Sequence, residues 1–244
     1  MSTQVLEDKT SIATPKAPRK CVVLLSGGID SAVLLYSLVG KYECYPLNID
    51  YGQTHKKEVI AARNICDARD HNLLLRYKLL NLGVLRCLLP SSLTGVGEIP
   101  QGHYTEESMK STVVVGRNLI FLAIAAGYAE GIGAEVVAYA AHSGDHYLYP
   151  DCRPEFVIDA HKVIRSSTDG KVSLLVPFLN MTKTDIITFG TEFTVPYHLT
   201  WSCYVGGETH CGVCSTCIER RKAFRLAKVY DPTKYMAEYL NKTP

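Results

Sequence analysis

The sequence lacks a dominant charge, a long apolar run and the two commonest nucleotide-binding signatures. Its 244 residues carry 26 Lys+Arg against 24 Asp+Glu, a formal net charge of +2. That balance gives no basis for electrostatic tracking along a polyanion, so no nucleic-acid partner is expected. The longest mainly apolar run, Leu119 to Ala129, stops at Glu130. It is shorter than the ~20 residues a membrane span needs, and no membrane partner is expected. Residues 1–19 have no apolar signal-peptide core; they are polar, carry Pro15 and Pro18, and read as a flexible N-terminal extension. Neither GxxxxGK[ST] nor GxGxxG occurs. An even, well-spread disulfide framework is also missing. The nine cysteines are an odd number, with Cys21, Cys44, Cys66, Cys87 and Cys152 scattered and four packed between Cys203 and Cys217. Reduced thiols with one local metal cluster suit a cytoplasmic location.

What is present is a hydrophobic content of 47%, enough for a sizeable core. Apolar runs of strand length alternate with helical patterns. Strands are expected at Cys21–Leu25, Cys44–Asp50, Leu73–Tyr77, Glu135–Ala141 and Lys171–Val176. Helices are expected over roughly 31–39, 56–70 and 119–128, and after Pro154. Such alternation predicts βαβ units, hence an α/β fold with a doubly wound, Rossmann-like parallel sheet of five strands. Residues 20–198 form that domain, and 199–244 form a small C-terminal module with a helix. The stretch from Arg86 to Val115 breaks the rhythm with Pro90, Pro100 and several glycines, and loops this long in α/β proteins are usually functional.

The first strand runs from Leu25 into Ser26-Gly27-Gly28-Ile29-Asp30-Ser31, and a helix follows. The glycines let the chain turn sharply and leave backbone N–H groups uncovered. Ser26 and Ser31 add hydroxyl donors, and the helix N-terminus points at the same place. This is an anion cradle at the carboxyl edge of the sheet, where open α/β folds bind ligands. A turn whose glycines serve geometry alone is the bland alternative.

Cys203, Cys211, Cys214 and Cys217 follow the spacing C-x7-C-x2-C-x2-C. Four thiolates in reach of one another match a closed tetrahedral zinc site. Iron–sulfur ligation and a catalytic disulfide stay open as alternatives. The basic run Arg220, Arg221, Lys222, Arg225 and Lys228 is expected to be a solvated helix face.

The SGGIDS loop resembles the pyrophosphate loop of N-type ATP pyrophosphatases, which cleave ATP between the α and β phosphates. Further segments narrow the resemblance. They are Asp50–His55, Gly102–Tyr104 with Glu107–Lys110, Gly116-Arg117-Asn118, His142–Asp145, Tyr149–Phe156, Pro177–Asp185 and Thr200–Tyr204. Together with the cysteine cluster they closely resemble the QueC family from about Lys20 to the C-terminal helix.

The resemblance implies an adenine nucleotide alpha hydrolase-like fold, ATP, Mg²⁺ and Zn²⁺ as cofactors, and a homodimer. The implied substrates are 7-carboxy-7-deazaguanine and ammonia, the acid being adenylated, amidated and adenylated again to leave a nitrile. Leu25, Ser26, Gly27, Gly28, Ile29, Asp30, Ser31, Asp50 and Gln53 are then the expected ATP contacts. Asp30, Ser31, Arg117 and Lys183 are expected to be catalytic. Arg117, Asn118, His142, Asp151 and Arg153 are expected to hold the substrate, while Cys152 reads as packing. One departure stands out: the family usually has a proline before its Arg-Asn pair, whereas here Val113-Val114-Val115-Gly116 precedes Arg117. An enzyme stopping at the amide, a transfer-RNA thiolase with the same ATP loop, and a nucleotide-sensing zinc-ribbon protein are the competing expectations.

Overall fold

The computed structural model describes residues 18–102 and 109–236. Most of the expected N-terminal extension, the motif residues from His103 to Ser108 and the chain after residue 236 lie outside the described residues.

Five parallel strands form one sheet in the order β3-β2-β1-β4-β5. The central strand, β1 (Lys20–Leu24), buries Cys21, Val22 and Val23 completely. It pairs with β2 (Glu43–Asp50) on one side and β4 (Val136–Ala138) on the other. An apolar strand of this kind fits a position covered on both faces. Helices α1 (Ile29–Leu38) and α2 (Lys57–Arg69) cover one face, where Ala32, Leu35, Ala62 and Ile65 join the core. Helices α4 (Arg117–Gly131) and α5 (Pro154–Ser167) cover the other through Leu122, Ala125, Ala160 and Ile164. The sheet is therefore doubly wound, and the winding reverses between β1 and β4. That reversal leaves a crevice at the carboxyl edge.

The third strand lies further along the chain than Leu73–Tyr77. Residues His71–Arg76 form helix α3, and β3 is Lys78–Asn81. Asp70 caps α3 by accepting from the Asn72 N–H at 3.0 Å. The Leu73-Leu74-Leu75 run then turns only Leu73 fully into the core. Strands β4 and β5 (Ser173–Leu175) are shorter than expected. Their ladder ends where Tyr139 N–H donates to Leu175 O at 3.0 Å, and the chain beyond lifts off to carry Tyr139, Ala141 and His142 towards the crevice.

Lys110–Gly131 has the length and hydropathy of a membrane span. In the fold it is interrupted before α4 by Gly116 at φ +70°, and one side of α4 is buried against the sheet. Two further helices complete the described chain, α6 (Lys183–Gly190) and α7 (Ser215–Ala227). Phe224 of α7 meets Tyr197 edge-on with ring centroids 5.1 Å apart, and both belong to the main core.

Arg220 departs from the solvated face expected for the basic run. Its side chain is 1% exposed and donates to Thr200 Oγ1 at 2.7 Å, Tyr197 O at 3.0 Å and Asp231 at 3.2 Å. A guanidinium supplies five donors in one plane, which suits a junction where three chain segments must be tied together.

Candidate active site

A cleft of about 250 Å³ opens at the carboxyl edge, above β1, β2 and β4. Its floor is the loop between β1 and α1. Ser26 and Ser31 hydroxyls lie 3.0 Å apart, the Gly28 N–H donates to Ser26 Oγ at 3.2 Å, and Ser31 Oγ donates to Gly28 O at 3.2 Å. Gly28 sits at the N-cap of α1, whose exposed N–H groups and dipole favour an anion. Gly27 has φ +99°, and a Cβ there would lie 2.2 Å from Glu58 O, so only glycine lets α2 seat against the loop.

Beside the loop lies a compact charged group. Lys183, at the first position of α6, donates to Glu219 of α7 at 2.8 Å and lies 3.7 Å from Asp30 of α1. Burial opposes the Lys183 charge, but Asp30, Glu219 and Asp145 outweigh it and hold the ammonium above the ordinary lysine range. His142 is fully buried, with Nε2 3.7 Å from Asp30 and 3.4 Å from Asp145. Its Nδ1 accepts from the Gly144 N–H at 3.1 Å, which assigns the neutral ring's proton to Nε2. Burial raises the Asp145 carboxyl, and the neighbouring Glu219 and Asp30 charges add to that, against His142 and Lys183. Asp30 Oδ1 is buried without a hydrogen-bond partner. An orphaned carboxylate oxygen beside the uncapped N-terminus of α1 fits a hard divalent cation, which takes oxygen ligands and keeps several waters.

The other end of the cleft is aromatic. The Arg117 guanidinium lies over the Tyr51 ring at 5.4 Å and reaches the Tyr51 hydroxyl at 3.4 Å, while Tyr51 packs on Phe121 at 5.8 Å. Asn118, Tyr139, Tyr149 and Tyr204 also line this end. Glu58 faces in from α2, and burial pushes its carboxyl up to about 7 against the pull of Arg117. Flat apolar walls with a few polar groups suit a planar heterocycle.

The expected residues divide into three groups. Leu25, Ser26, Gly28, Ile29, Asp30, Ser31, Gln53, Arg117, Asn118 and Lys183 line the cleft. Gly27 and His142 are not lining residues: Gly27 shapes the loop, and buried His142 faces Asp30. Asp50, Asp151 and Arg153 are engaged elsewhere. Asp50 pairs with Lys56 Nζ at 2.6 Å and accepts from the Gly52 N–H. Asp151 accepts from the Asn118 N–H at 2.9 Å, bonding the first turn of α4 and thereby setting Arg117. Arg153 is exposed and donates to His146 O at 2.8 Å. Cys152 is buried against Asn118 and Tyr139, and burial pushes its thiol up to about 12, which leaves it a packing group. Glu58, Tyr139, Asp145, Glu219 and Arg220 were not among the expected site residues. Lone glutamates on helices carry no spacing signal, and only the fold brings them to the cleft.

The four clustered cysteines are buried, and their sulfurs all lie within 4.8 Å of one another. Two pairs, Cys203 with Cys214 and Cys211 with Cys217, are 4.0 Å apart. A tetrahedral ion with bonds of ~2.3 Å would set sulfurs ~3.8 Å apart, so the donor set fits one metal ion. The Cys211 N–H points at Cys203 Sγ at 3.4 Å and the Cys214 N–H at Cys211 Sγ at 3.3 Å, offsetting thiolate charge. The cluster adjoins the cleft: Trp201, Ser202, Thr216 and Glu219 are all lining residues.

The family model described as queuosine biosynthesis protein QueC matches residues 20–228. The chain is 48% identical over 218 residues to the 7-cyano-7-deazaguanine synthase of Methanoregula boonei, spanning 88% of this chain and 99% of that one. It is 43% identical over 221 residues to the enzyme of the same name from Caldicellulosiruptor saccharolyticus, spanning 90% and 96%. Among solved structures it is similar to the NMN synthetase of Francisella tularensis, with a TM-score of 0.49 and 14% identity over 93% of this chain and 82% of that one.

Proposed function

The chain belongs to the QueC family of queuosine biosynthesis proteins, and from that premise we propose that it is an ATP-dependent 7-cyano-7-deazaguanine synthase. Its substrates on this reading are 7-carboxy-7-deazaguanine, ammonia and two molecules of ATP. The observation that carries the proposal is the convergence of the Ser26–Ser31 loop, Asp30 and Lys183 on one corner of a cleft whose far end is aromatic.

A carboxylate is a poor electrophile because its oxygen is a poor leaving group. The chemistry needed is attack of that oxygen on the α-phosphorus of ATP, with pyrophosphate leaving. The loop N–H groups and the Ser26 and Ser31 hydroxyls hold the departing pyrophosphate. Lys183 neutralises charge at the α-phosphate, and Arg117 orients the acid. Ammonia then attacks the acyl carbon and AMP leaves, giving the amide. The amide oxygen attacks a second ATP in the same way, and loss of AMP and a proton leaves the nitrile. Asp30 is the residue to hold Mg²⁺, which supplies charge neutralisation of the phosphates.

We assign zinc to Cys203, Cys211, Cys214 and Cys217, in a structural role with no open position. A multi-iron cluster needs room for several irons and sulfides between its thiolates, which sulfurs 4.0 Å apart do not leave. We place the enzyme in the cytoplasm and as a homodimer. We assign no nucleic-acid partner.

Incubation with ATP, Mg²⁺, ammonium and 7-carboxy-7-deazaguanine, followed by mass spectrometry, tests the proposal. AMP and the nitrile are expected; ADP as the nucleotide product would contradict it.

A further inference from the structure

Asp30 and Glu219 compete for one lysine. Lys183 Nζ is 2.8 Å from Glu219 but 3.7 Å from Asp30, so the hydrogen bond goes to Glu219. The origins of both partners are fixed. Thr182 and Asp185 form a reciprocal cap around the start of α6, with Thr182 N–H donating to Asp185 at 2.9 Å and Asp185 N–H donating to Thr182 Oγ1 at 3.2 Å. Glu219 precedes Arg220, whose side chain is bonded to Tyr197, Thr200 and Asp231. The lysine stem between them is flexible, and a small swing would close the gap to Asp30.

Asp30 is the more exposed to such capture. Its Oδ1 has no hydrogen-bond partner, and its Oδ2 lies 3.7 Å from both Lys183 Nζ and His142 Nε2. A carboxylate oxygen buried without a partner strongly attracts any cation in reach. Lys183 is already within 3.7 Å of Oδ2, and closing that gap to a direct hydrogen bond would occupy the carboxylate assigned to Mg²⁺.

We infer that Glu219 is a positioning residue: by holding Lys183 it keeps the lysine off Asp30 and leaves the Asp30 carboxylate open to a divalent cation. The inference rests on the reading of the cleft as an ATP- and Mg²⁺-using site. It gives the cysteine module a part in the chemistry, because Glu219 stands on the same helix as Cys217.

Mn²⁺ binding to the full chain, with its cysteine-bound metal retained and checked by elemental analysis, provides the test by electron paramagnetic resonance. Glu219→Ala should weaken Mn²⁺ binding ~10-fold, as Lys183 moves onto Asp30. Glu219→Gln, which keeps an acceptor for the lysine, should lie between the two. Lys183→Ala should bind Mn²⁺ at least as well as the native chain. Adding Glu219→Ala to Lys183→Ala should cost at most ~3-fold, the residual effect of one distant charge. A full ~10-fold loss in that second background would overturn the inference, since Glu219 would then act without the lysine. So would unchanged binding in Glu219→Ala. Mn²⁺ affinity indifferent to Asp30→Ala would instead contradict the underlying reading of Asp30, and the inference with it.

Discussion

Trp201 donates its backbone N–H to the carbonyl of Gly27 at 2.9 Å, joining the segment that enters the cysteine cluster to the Ser26–Ser31 loop. The Trp201 indole in turn donates to Cys203 O at 2.7 Å. The cluster and the loop are thus joined by two hydrogen bonds through the single residue Trp201, although they are far apart in the chain. Loss of one should be felt by the other.

Cys217→Ala should therefore release the metal and also lower turnover by at least ~10-fold, because the loop and Glu219 lose their anchor and near-attack geometry is sensitive to small shifts. Elemental analysis of the native chain should find zinc at one per chain. Iron with acid-labile sulfide would refute the assignment, and full activity in a metal-free variant would refute the coupling.

The two loop glycines should respond unequally. Gly27→Ala must place a methyl 2.2 Å from Glu58 O at a φ of +99°, and is expected to cost about 2–4 kcal/mol. Gly28→Ala meets nothing closer than Ser26 Oγ at 3.4 Å and should be far milder for folding. Thermal or urea unfolding of the two variants distinguishes them; equal losses would mean the close approach of α2 is not what requires Gly27.

The missing proline is compatible with the turn observed. The Arg117 N–H bonds to Val114 O at 3.1 Å and Gly116 has φ +70°, so Val115 occupies the second position of a turn that favours proline there. Val115 is 75% exposed. Val115→Pro should stabilise the chain by ~0.4–1 kcal/mol through the unfolded state. A lower melting temperature would show that the backbone at Val115 cannot accept the ring.

Glu58 should make stability fall as pH rises. Its folded pKa, about 7, lies above the ordinary glutamate value of 4.5. The contribution of its protonated form is therefore complete below about 4.5 and is lost as pH climbs through about 7. Glu58→Gln should melt higher than the native chain at pH 8, with the difference vanishing near pH 5. A difference that is constant across that range would exclude titration of Glu58 as the cause.

The parts of this molecule legible in sequence are those whose signal is local. The Ser26–Ser31 loop is recognisable because strand, glycines, hydroxyls and helix are contiguous, and the cysteine cluster because ligand spacing is itself the signal. Leu73–Tyr77 misleads because a run of three leucines suits a strand or a capped helix equally well. Arg220 misleads because charge density along a helix does not reveal which single cation turns inward. Glu58 and Glu219 reach the cleft from α2 and α7, and nothing near them in the chain announces it. Asp151 sits beside motif residues, yet its hydrogen bond to the start of α4 makes it a support for Arg117.

The central claim, two adenylations at one site, is tested most directly by isotope transfer. With 7-carboxy-7-deazaguanine carrying ¹⁸O in both carboxyl positions, each activated oxygen must leave on a nucleotide. The account predicts two AMP molecules per nitrile, each bearing one ¹⁸O, and no label in pyrophosphate. A single labelled AMP with ¹⁸O retained in an amide, or label in inorganic phosphate with ADP formed, would contradict it.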